Sequence, residues 1–159
     1  MNIIVGVADM KLAQGDGNVL VTHALGSCVG VCIHDPKLKI GGLLHYMLPE
    51  AAIAPDKARQ RPYMFGDTGI TLLFKEAYLL GTSKPALSVK LVGGAQTMDS
   101  NGVFNIGQKN YAMARKLFYR NNVMVAAEEV GGTTHRTVHL DVGTGAITIK
   151  IKGGGVINL

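Results

Sequence analysis

The sequence contains no tryptophan, only two cysteines, and no apolar run near the roughly 20 residues that a membrane-spanning helix needs. Its first residues also lack the charged region, apolar core and cleavage site of a secretory signal peptide. We therefore expect a cytoplasmic protein without direct membrane insertion. In that compartment Cys28 and Cys32 stay reduced.

Charged residues are scarce, at 17% of the chain, and their balance is basic, with a net charge of +5. The densest cluster, 57–61, lies between two prolines, and we interpret it as a solvated loop. No aromatic ladder or RNA-binding signature accompanies it, so we expect no nucleic-acid partner. A basic surface can still steer an encounter with an acidic protein partner.

Motifs for metal and phosphate binding are missing as well. A zinc set can be assembled on paper from Cys28, Cys32, His34 and His45. However, the chain has no CxxC pair, and ligands three or four apart on a strand need not converge. The glycine pairs at 93–94 and 131–132 match neither GxxxxGK[ST] nor GxGxxG. We therefore expect no metal and no cofactor.

Glycine is abundant, at 21 of 159 residues, which predicts many tight turns between short elements. Apolar residues at helical spacing predict one helix capped by Asp67 or Thr68 and ended by Gly81, and a second over about Ile106–Asn121. Short apolar runs bounded by turn residues predict strands. These strands are Asn2–Ala8, Val19–His23, Cys28–His34, Ile40–Leu48, Leu87–Val92 and Val123–Glu128.

The C-terminal part alternates with period two on both sides of Gly143-Thr144-Gly145, which predicts a hairpin. The strands Cys28–His34 and Ile40–Leu48 are joined by the short turn after Asp35, so they are expected to be antiparallel neighbours. Two helices and about seven strands in hairpin order indicate an α/β (α+β) class. We expect a single domain over residues 1–159, with the helices on one face of a mostly antiparallel mixed sheet.

The stretch THALGSCVGVC places a cysteine directly after a glycine turn, which is where a strand begins. A free thiol is only slightly ionised at neutral pH and needs a nearby imidazole. His45 lies within an apolar strand and, in the predicted pairing, toward the same end as Cys28. The plainer interpretation stays open at this point, because buried cysteine and lone core histidine are both common. Cys32 is interpreted as core.

The ordered set of motifs resembles the CheD family of chemoreceptor glutamine deamidases, over nearly the whole chain. The matching positions are Thr22, Gly26-Ser27-Cys28-Val29, Gly42, His45, Leu48-Pro49, Asp67-Thr68, Gly93-Gly94-Ala95, Asn105-Ile106-Gly107, Asn110, Gly131-Gly132, Arg136 and Val138. Two positions depart from the family pattern: Lys109, where arginine is frequent, and His135, where a small residue is more usual. These departures bear on partner or substrate contacts.

The resemblance implies a layered α/β sandwich and a hydrolase that converts glutamine side chains of methyl-accepting chemotaxis receptors to glutamate. It places the catalytic trio on Cys28, His45 and Thr22. It also implies binding of the CheC phosphatase, and for some members a receptor methylesterase activity.

The residues suit that chemistry. A Cys28 thiolate would attack the amide carbon, His45 would protonate the departing ammonia, and Thr22 would orient the imidazole. Backbone N–H groups around Gly26, Ser27 and Cys28 would hold the oxyanion. Two other interpretations are a docking module for receptors and CheC with the trio retained as structure, and a general cysteine peptidase.

Overall fold

The structure, a computed structural model, describes residues 1–97 and 104–159. Within these ranges it contains ten strands and three α-helices. The strands are β1 Asn2–Ile4, β2 Asp9–Gln14, β3 Val19–Leu25, β4 Val29–Asp35, β5 Ile40–Tyr46, β6 Ser88–Gly93, β7 Val125–Val130, β8 Arg136–Asp141, β9 Ile147–Ile151 and β10 Val156–Asn158. The helices are α1 Pro55–Gln60, α2 Gly66–Leu79 and α3 Ile106–Arg120.

The strands form two five-stranded sheets. The first has the order β1-β3-β8-β9-β10 and the second the order β2-β5-β4-β6-β7. Most neighbours are antiparallel, but β1 with β3 and β6 with β7 are parallel. The predicted antiparallel pairing of β4 with β5 is confirmed, as is the β8–β9 hairpin.

Successive side chains of a strand point to opposite faces of the sheet, and this divides the core into two layers. One set of strand residues, including Val29, Val31 and Ile33, packs against α2 and α3. The opposite set, including Cys32 and Leu43, packs against residues of the first sheet. The result is a sandwich of helices, second sheet and first sheet. This confirms the predicted class and the placement of both main helices on one face of a sheet.

Three elements of the structure differ from the prediction made from the sequence. The edge strands β2 and β10 were not foreseen, and the basic cluster at 57–61 lies mostly in the short helix α1 rather than in a loop. Pro55 at the first helical position has its φ preset for a helix. Ala58 is buried while the neighbouring cations stay exposed.

The predicted start of α2 was also wrong. The helix begins at Gly66 after an extended Phe65, and no side chain caps it. Asp67 instead accepts hydrogen bonds from the backbone N–H groups of Ala51 and Thr68. The Thr68 hydroxyl donates to the Pro62 carbonyl. Both side chains are therefore committed to the preceding loop.

The predicted end at Gly81 is consistent with its positive φ of 105° just after the helix. None of the helices in 1–97 or 104–159 combines the length and apolar character needed to cross a membrane.

Candidate active site

Cys28 lies at the edge of a cleft with a volume of about 560 Å³. The cleft lies where β4 begins, β6 and β7 end, and α3 begins. Besides Cys28 its lining includes Ser27, Met47, Gly94 and Gly107. The cysteine is half-buried rather than sealed inside the core. Its sulfur is therefore at a place that a substrate side chain can enter.

The turn that carries Cys28 is held by its carbonyl groups. The Gly26 and Cys28 carbonyls accept hydrogen bonds of 2.8 Å from the N–H groups of Ala95 and Gly94. Gly93 has a φ of 109°, and a Cβ there would come within 2.3 Å of the Cys28 carbonyl oxygen. Only glycine allows that approach. The backbone N–H of Cys28 lowers the pKa of its own thiol, which opposes the larger effect of burial.

Thr22 is placed by a bulge in β3, whose pairing with β8 shifts register between Thr22 and Leu25. Bulges re-aim side chains at functional sites. The Thr22 hydroxyl lies 2.8 Å from the Val5 carbonyl and 2.7 Å from Nδ1 of His45. The second contact crosses from the first sheet to the second.

These two contacts fix the tautomer of the imidazole. A carbonyl oxygen can only accept hydrogen bonds, so the Thr22 hydroxyl donates its single proton in the hydrogen bond to the Val5 carbonyl. Nδ1 of His45 must then carry its own proton and donate it to the Thr22 oxygen. Nε2 is left with a free lone pair. Among the described residues this buried Nε2 atom has no hydrogen-bond partner.

The strand register places this lone pair on the same side of the sheet as the thiol. His45 is paired with Gly30, and Cys28 lies two residues before Gly30, which makes it a diagonal neighbour of His45. Such neighbours are about 7–8 Å apart between Cα atoms and closer between side chains. Gly30 has no side chain of its own, and the Leu25 side chain packs over it, since a Cβ there would lie 3.0 Å from Leu25 Cδ1. The predicted proximity of Cys28 and His45 agrees with this register, although no hydrogen bond joins them among the described residues.

Burial keeps both groups neutral. It raises the pKa of the Cys28 thiol to about 11 and lowers the pKa of His45 to about 4. The Asp9 carboxylate opposes the second shift and raises the pKa of His45. The resting site is therefore a neutral thiol beside a neutral imidazole. A thiolate–imidazolium pair is not its resting form.

Asp9 is a site residue that the sequence did not reveal. It is the register partner of His45 on the edge strand β2. Its carboxylate accepts hydrogen bonds from the N–H groups of Gly6 and Met10 and from Nζ of Lys11. Because β2 was not predicted, no signal in the sequence connected this carboxylate with the imidazole.

Asn110 was noted in the sequence only as a match to the family pattern, without a role in the site. It is fully buried on α3, and its Nδ2 donates to the carbonyls of Ser27 and Met47 at 2.9 and 2.8 Å. The Tyr46 hydroxyl donates to the Asn110 carbonyl. Asn110 therefore joins the residue before Cys28 to a residue just after His45. A polar residue on the apolar face of an amphipathic helix was the available signal.

The N-terminus of α3 contributes the positive end of a 15-residue helix to the cleft. Ile106, Gly107 and Gln108 line the cleft at the turn whose N–H groups have no partners within the helix. A Cβ on Gly107 would lie 2.2 Å from the Ala95 carbonyl oxygen. The helix can approach the Cys28 turn this closely only because position 107 is glycine.

The remaining sequence candidates have other roles. Cys32 is core, 2% exposed, as predicted. His34 is paired with Gly41, four positions along β4 from the register partner of His45, and bonds the Val142 carbonyl. The two histidines of the hypothetical zinc set, His34 and His45, are therefore not neighbours. No metal-binding group of three or more His, Cys, Asp or Glu side chains occurs in the described part of the chain.

The two residues that depart from the family pattern lie near the site. The imidazole of His135 lies over Gly26, where a Cβ would come within 3.0 Å of Nε2. Lys109 is exposed on α3, next to Gln108 in the cleft wall.

Comparison with known proteins gives one consistent result. A family model described as CheD chemotactic sensory transduction matches residues 47–151. A protein of Syntrophus aciditrophicus, named probable chemoreceptor glutamine deamidase CheD 1, is 50% identical, with 96% of each chain covered. The corresponding proteins of Solibacter usitatus and Pyrococcus horikoshii are 46% and 40% identical, over 95% and 96% of this chain and 89% and 94% of theirs. The family model begins after His45, but the pairwise matches span almost the whole chain.

Proposed function

This chain belongs to the CheD family, and on that premise we propose that it is a protein-glutamine deamidase. Its substrates are glutamine side chains of chemoreceptors, which it converts to glutamate with release of ammonia. Cys28 is the nucleophile, His45 the general base and acid, and Thr22 the residue that orients His45. The observation that carries this assignment is the Thr22–His45 hydrogen bond, which leaves Nε2 free beside a cysteine at the edge of a cleft.

The first half of the reaction forms a thioester. Because the thiol and the imidazole both rest neutral, the Cys28 proton passes to Nε2 as the sulfur attacks the amide carbon. The carbonyl oxygen becomes an oxyanion, which the N–H groups of Ser27 and Cys28 and the positive end of α3 stabilise. His45 then gives its proton to the departing nitrogen. The C–N bond breaks, and ammonia leaves a γ-glutamyl thioester.

The second half releases glutamate. Water attacks the thioester carbon while Nε2 takes its proton, and the C–S bond breaks as the thiol regains that proton. Thr22 is neutral, so it aligns the imidazole but stabilises the imidazolium less than a carboxylate partner would. The Asp9 carboxylate offsets part of this difference through space. The reaction uses no cofactor and balances with water as the only co-reactant.

Family membership also supports three finer assignments. The CheC phosphatase is the proposed regulatory partner, the cytoplasm is the proposed compartment, and hydrolysis of receptor methyl esters is a proposed additional activity. The same thioester route serves an ester, because methanol then leaves in place of ammonia.

The test is mass spectrometry of a receptor cytoplasmic fragment after incubation with the protein. We expect an increase of about one dalton at individual glutamines with the native chain, and none with Cys28→Ala. Cys32→Ala removes the buried cysteine of the same strand and is the matched control that keeps activity. His45→Asn should lower the rate at least tenfold, because proton transfer is typically worth ~10²–10⁴-fold. Full activity in folded Cys28→Ala would exclude the mechanism and leave a docking module or another nucleophile.

A further inference from the structure

The outward face of α3 is unusual in its charge. The helix contains Lys109, Arg115, Lys116 and Arg120 and no acidic residue, and no Asp or Glu occurs from 104 to 127. All four cations are exposed. They equal most of the net charge of +5, although α3 is only 15 of the 159 residues.

These cations form a surface that starts at the cleft. With 3.6 residues per turn, Gln108, Arg115 and Tyr119 lie in one row along the helix, and Lys109, Lys116 and Arg120 lie in the next. Gln108 lines the cleft that holds Cys28. The two rows therefore lead from the cleft along the whole helix, a distance of about 22 Å at 1.5 Å per residue.

Ion pairing among the described residues does not account for this pattern. In the described ranges, ion pairs are made by Lys11, Lys39, Arg59 and Arg136, and by none of the four α3 cations. Lys116 and Arg120 are four residues apart, and like charges at that spacing on a helix repel each other. Tyr119 beside them is 86% exposed. A row of cations without ion pairs in the described ranges, with an exposed tyrosine beside it, is typical of a binding face, because Arg and Tyr are enriched at protein interfaces.

Resting on the proposed function, we propose that the outward face of α3 docks an acidic segment of the protein substrate that flanks the target glutamine. Charge complementarity selects an acidic partner. The two rows are continuous with the cleft, and this favours the substrate over other acidic partners. A substrate segment bound along α3 would place its next residues at Cys28. The other cationic cluster, on and after α1, is less suited, since Arg59 is already paired with Asp56.

The test compares steady-state deamidation by two charge-reversal variants. One is Arg115→Glu/Lys116→Glu/Arg120→Glu on α3. The other is Lys57→Glu/Arg59→Glu/Arg61→Glu at α1, which changes the net charge by the same amount. With an acidic receptor fragment, we expect KM of the α3 variant to rise at least tenfold with kcat within about threefold of native. The α1 variant should stay near native. KM of the native protein should itself rise with salt, because screening weakens exposed charge attraction.

A second substrate, a short glutamine peptide without acidic residues, separates docking from damage to the site. The α3 variant should process it as well as native, and circular dichroism should show both variants folded. An unchanged KM in the α3 variant, or an equal rise in the α1 variant, would overturn the proposal. So would loss of RNA or anionic-vesicle binding in the α3 variant with KM unchanged.

Failure of the proposed function gives a different pattern. If native protein releases no ammonia, fluorescence anisotropy measures how tightly the same receptor fragment binds to Cys28→Ala, with and without each charge reversal. Weaker binding with the α3 reversal but not with the α1 reversal supports the docking surface even then. Equal binding with and without the α3 reversal contradicts it.

Discussion

At the residue scale, the most informative group is His45, a fully buried imidazole whose charge state is set from three sides. Burial disfavours the imidazolium, the Asp9 carboxylate favours it, and Thr22 fixes which nitrogen carries the proton. Val5 completes the arrangement, because its carbonyl accepts the hydrogen bond from the Thr22 hydroxyl, whose oxygen is then left to accept from Nδ1 of His45. A backbone carbonyl 17 residues before Thr22 thus decides that Nε2, and not Nδ1, carries the free lone pair.

The depressed pKa of His45 predicts how stability depends on pH. The unfolded chain binds a proton at this histidine near pH 6.5, whereas the folded protein does so only near pH 4. Between those values the unfolded state holds more protons, so this contribution to stability is complete above pH 6.5 and is lost as the pH falls to about 4. The limiting slope is about 1.4 kcal/mol per pH unit for one proton.

His45→Asn removes that titration while it keeps an amide near the position of Nδ1. We therefore expect urea unfolding of the native protein to show a steeper fall in stability from pH 6.5 to 4.5 than unfolding of the variant. The comparison concerns slopes, since the variant has its own baseline stability. Parallel curves over this range would mean that His45 titrates normally and that the neutral resting site is wrong.

The candidate site residues differ in how well the sequence alone identifies them. Cys28 was readable because a glycine turn before a strand is a local pattern, and His45 because it interrupts an apolar strand. Asp9 was not readable, and Asn110 gave only the signal of a polar residue on an apolar helix face, because the contacts of both depend on strand register and on which loops a helix meets. Both facts arise only when distant segments pack. Family resemblance supplied the role of Thr22, and the structure adds the hydrogen bond to Nδ1.

At the scale of elements, α3 combines three relations to the cleft in one helix. Its N-terminus points into the cleft, Asn110 fastens the Cys28 turn, and its outer face carries the cations. All three depend on how closely the helix approaches the Gly94-Ala95 loop. That approach is limited at Gly107, which has backbone oxygens at 2.2 and 2.6 Å from where a Cβ would be.

Gly107→Ala should therefore destabilise the protein, although alanine is ordinarily preferred to glycine within a helix. Within a helix alanine is usually favoured over glycine by about 0.8–1.0 kcal/mol. Here the added methyl must push α3 from the loop, so we expect a net loss of about 1–3 kcal/mol of stability and a lower deamidation rate. Thermal unfolding and ammonia release measure the two effects.

Gly6→Ala is the control, because its Cβ would lie 3.8 Å from the Asp9 carboxylate, an ordinary contact distance. It should change neither stability nor rate by much. A Gly107→Ala protein more stable than native would show that α3 is not held this tightly against the loop.

Elements with strong periodicity were predictable, whereas two of the four edge strands were not. Both main helices and the β8–β9 hairpin follow from apolar spacing over many residues. By contrast, β2 and β10 lie at sheet edges, where one side of the strand is unpaired and the burial pattern is mixed. The division into two sheets was also unreadable, since it depends on which strands pair rather than on any one strand.

At the scale of the whole molecule, the site is assembled across the interface between the two sheets. Thr22 belongs to the first sheet, while Cys28 and His45 lie on strands of the second or at their ends. The spacing of the sheets therefore sets the Thr22–His45 hydrogen bond, and the apolar core between them is part of the proposed catalytic geometry. Loosening that core near Thr22 should affect catalysis, and loosening it far away should not.

Two buried valines, one on β8 and one directly after its end, test this relation. Val138 is paired with Thr22, whereas Val142 packs against Gly41 near the opposite end of the layer, and both are 0% exposed in the core between the sheets. Val138→Ala and Val142→Ala each remove two methyl groups, so each should cost about 1–3 kcal/mol of stability. Only Val138→Ala should also lower kcat, because a cavity beside Thr22 lets its hydroxyl leave Nδ1. Urea unfolding and deamidation assayed well below the unfolding midpoint separate the two effects. An equal fall in kcat in both variants would mean that general loosening, and not the alignment of Thr22, controls the rate.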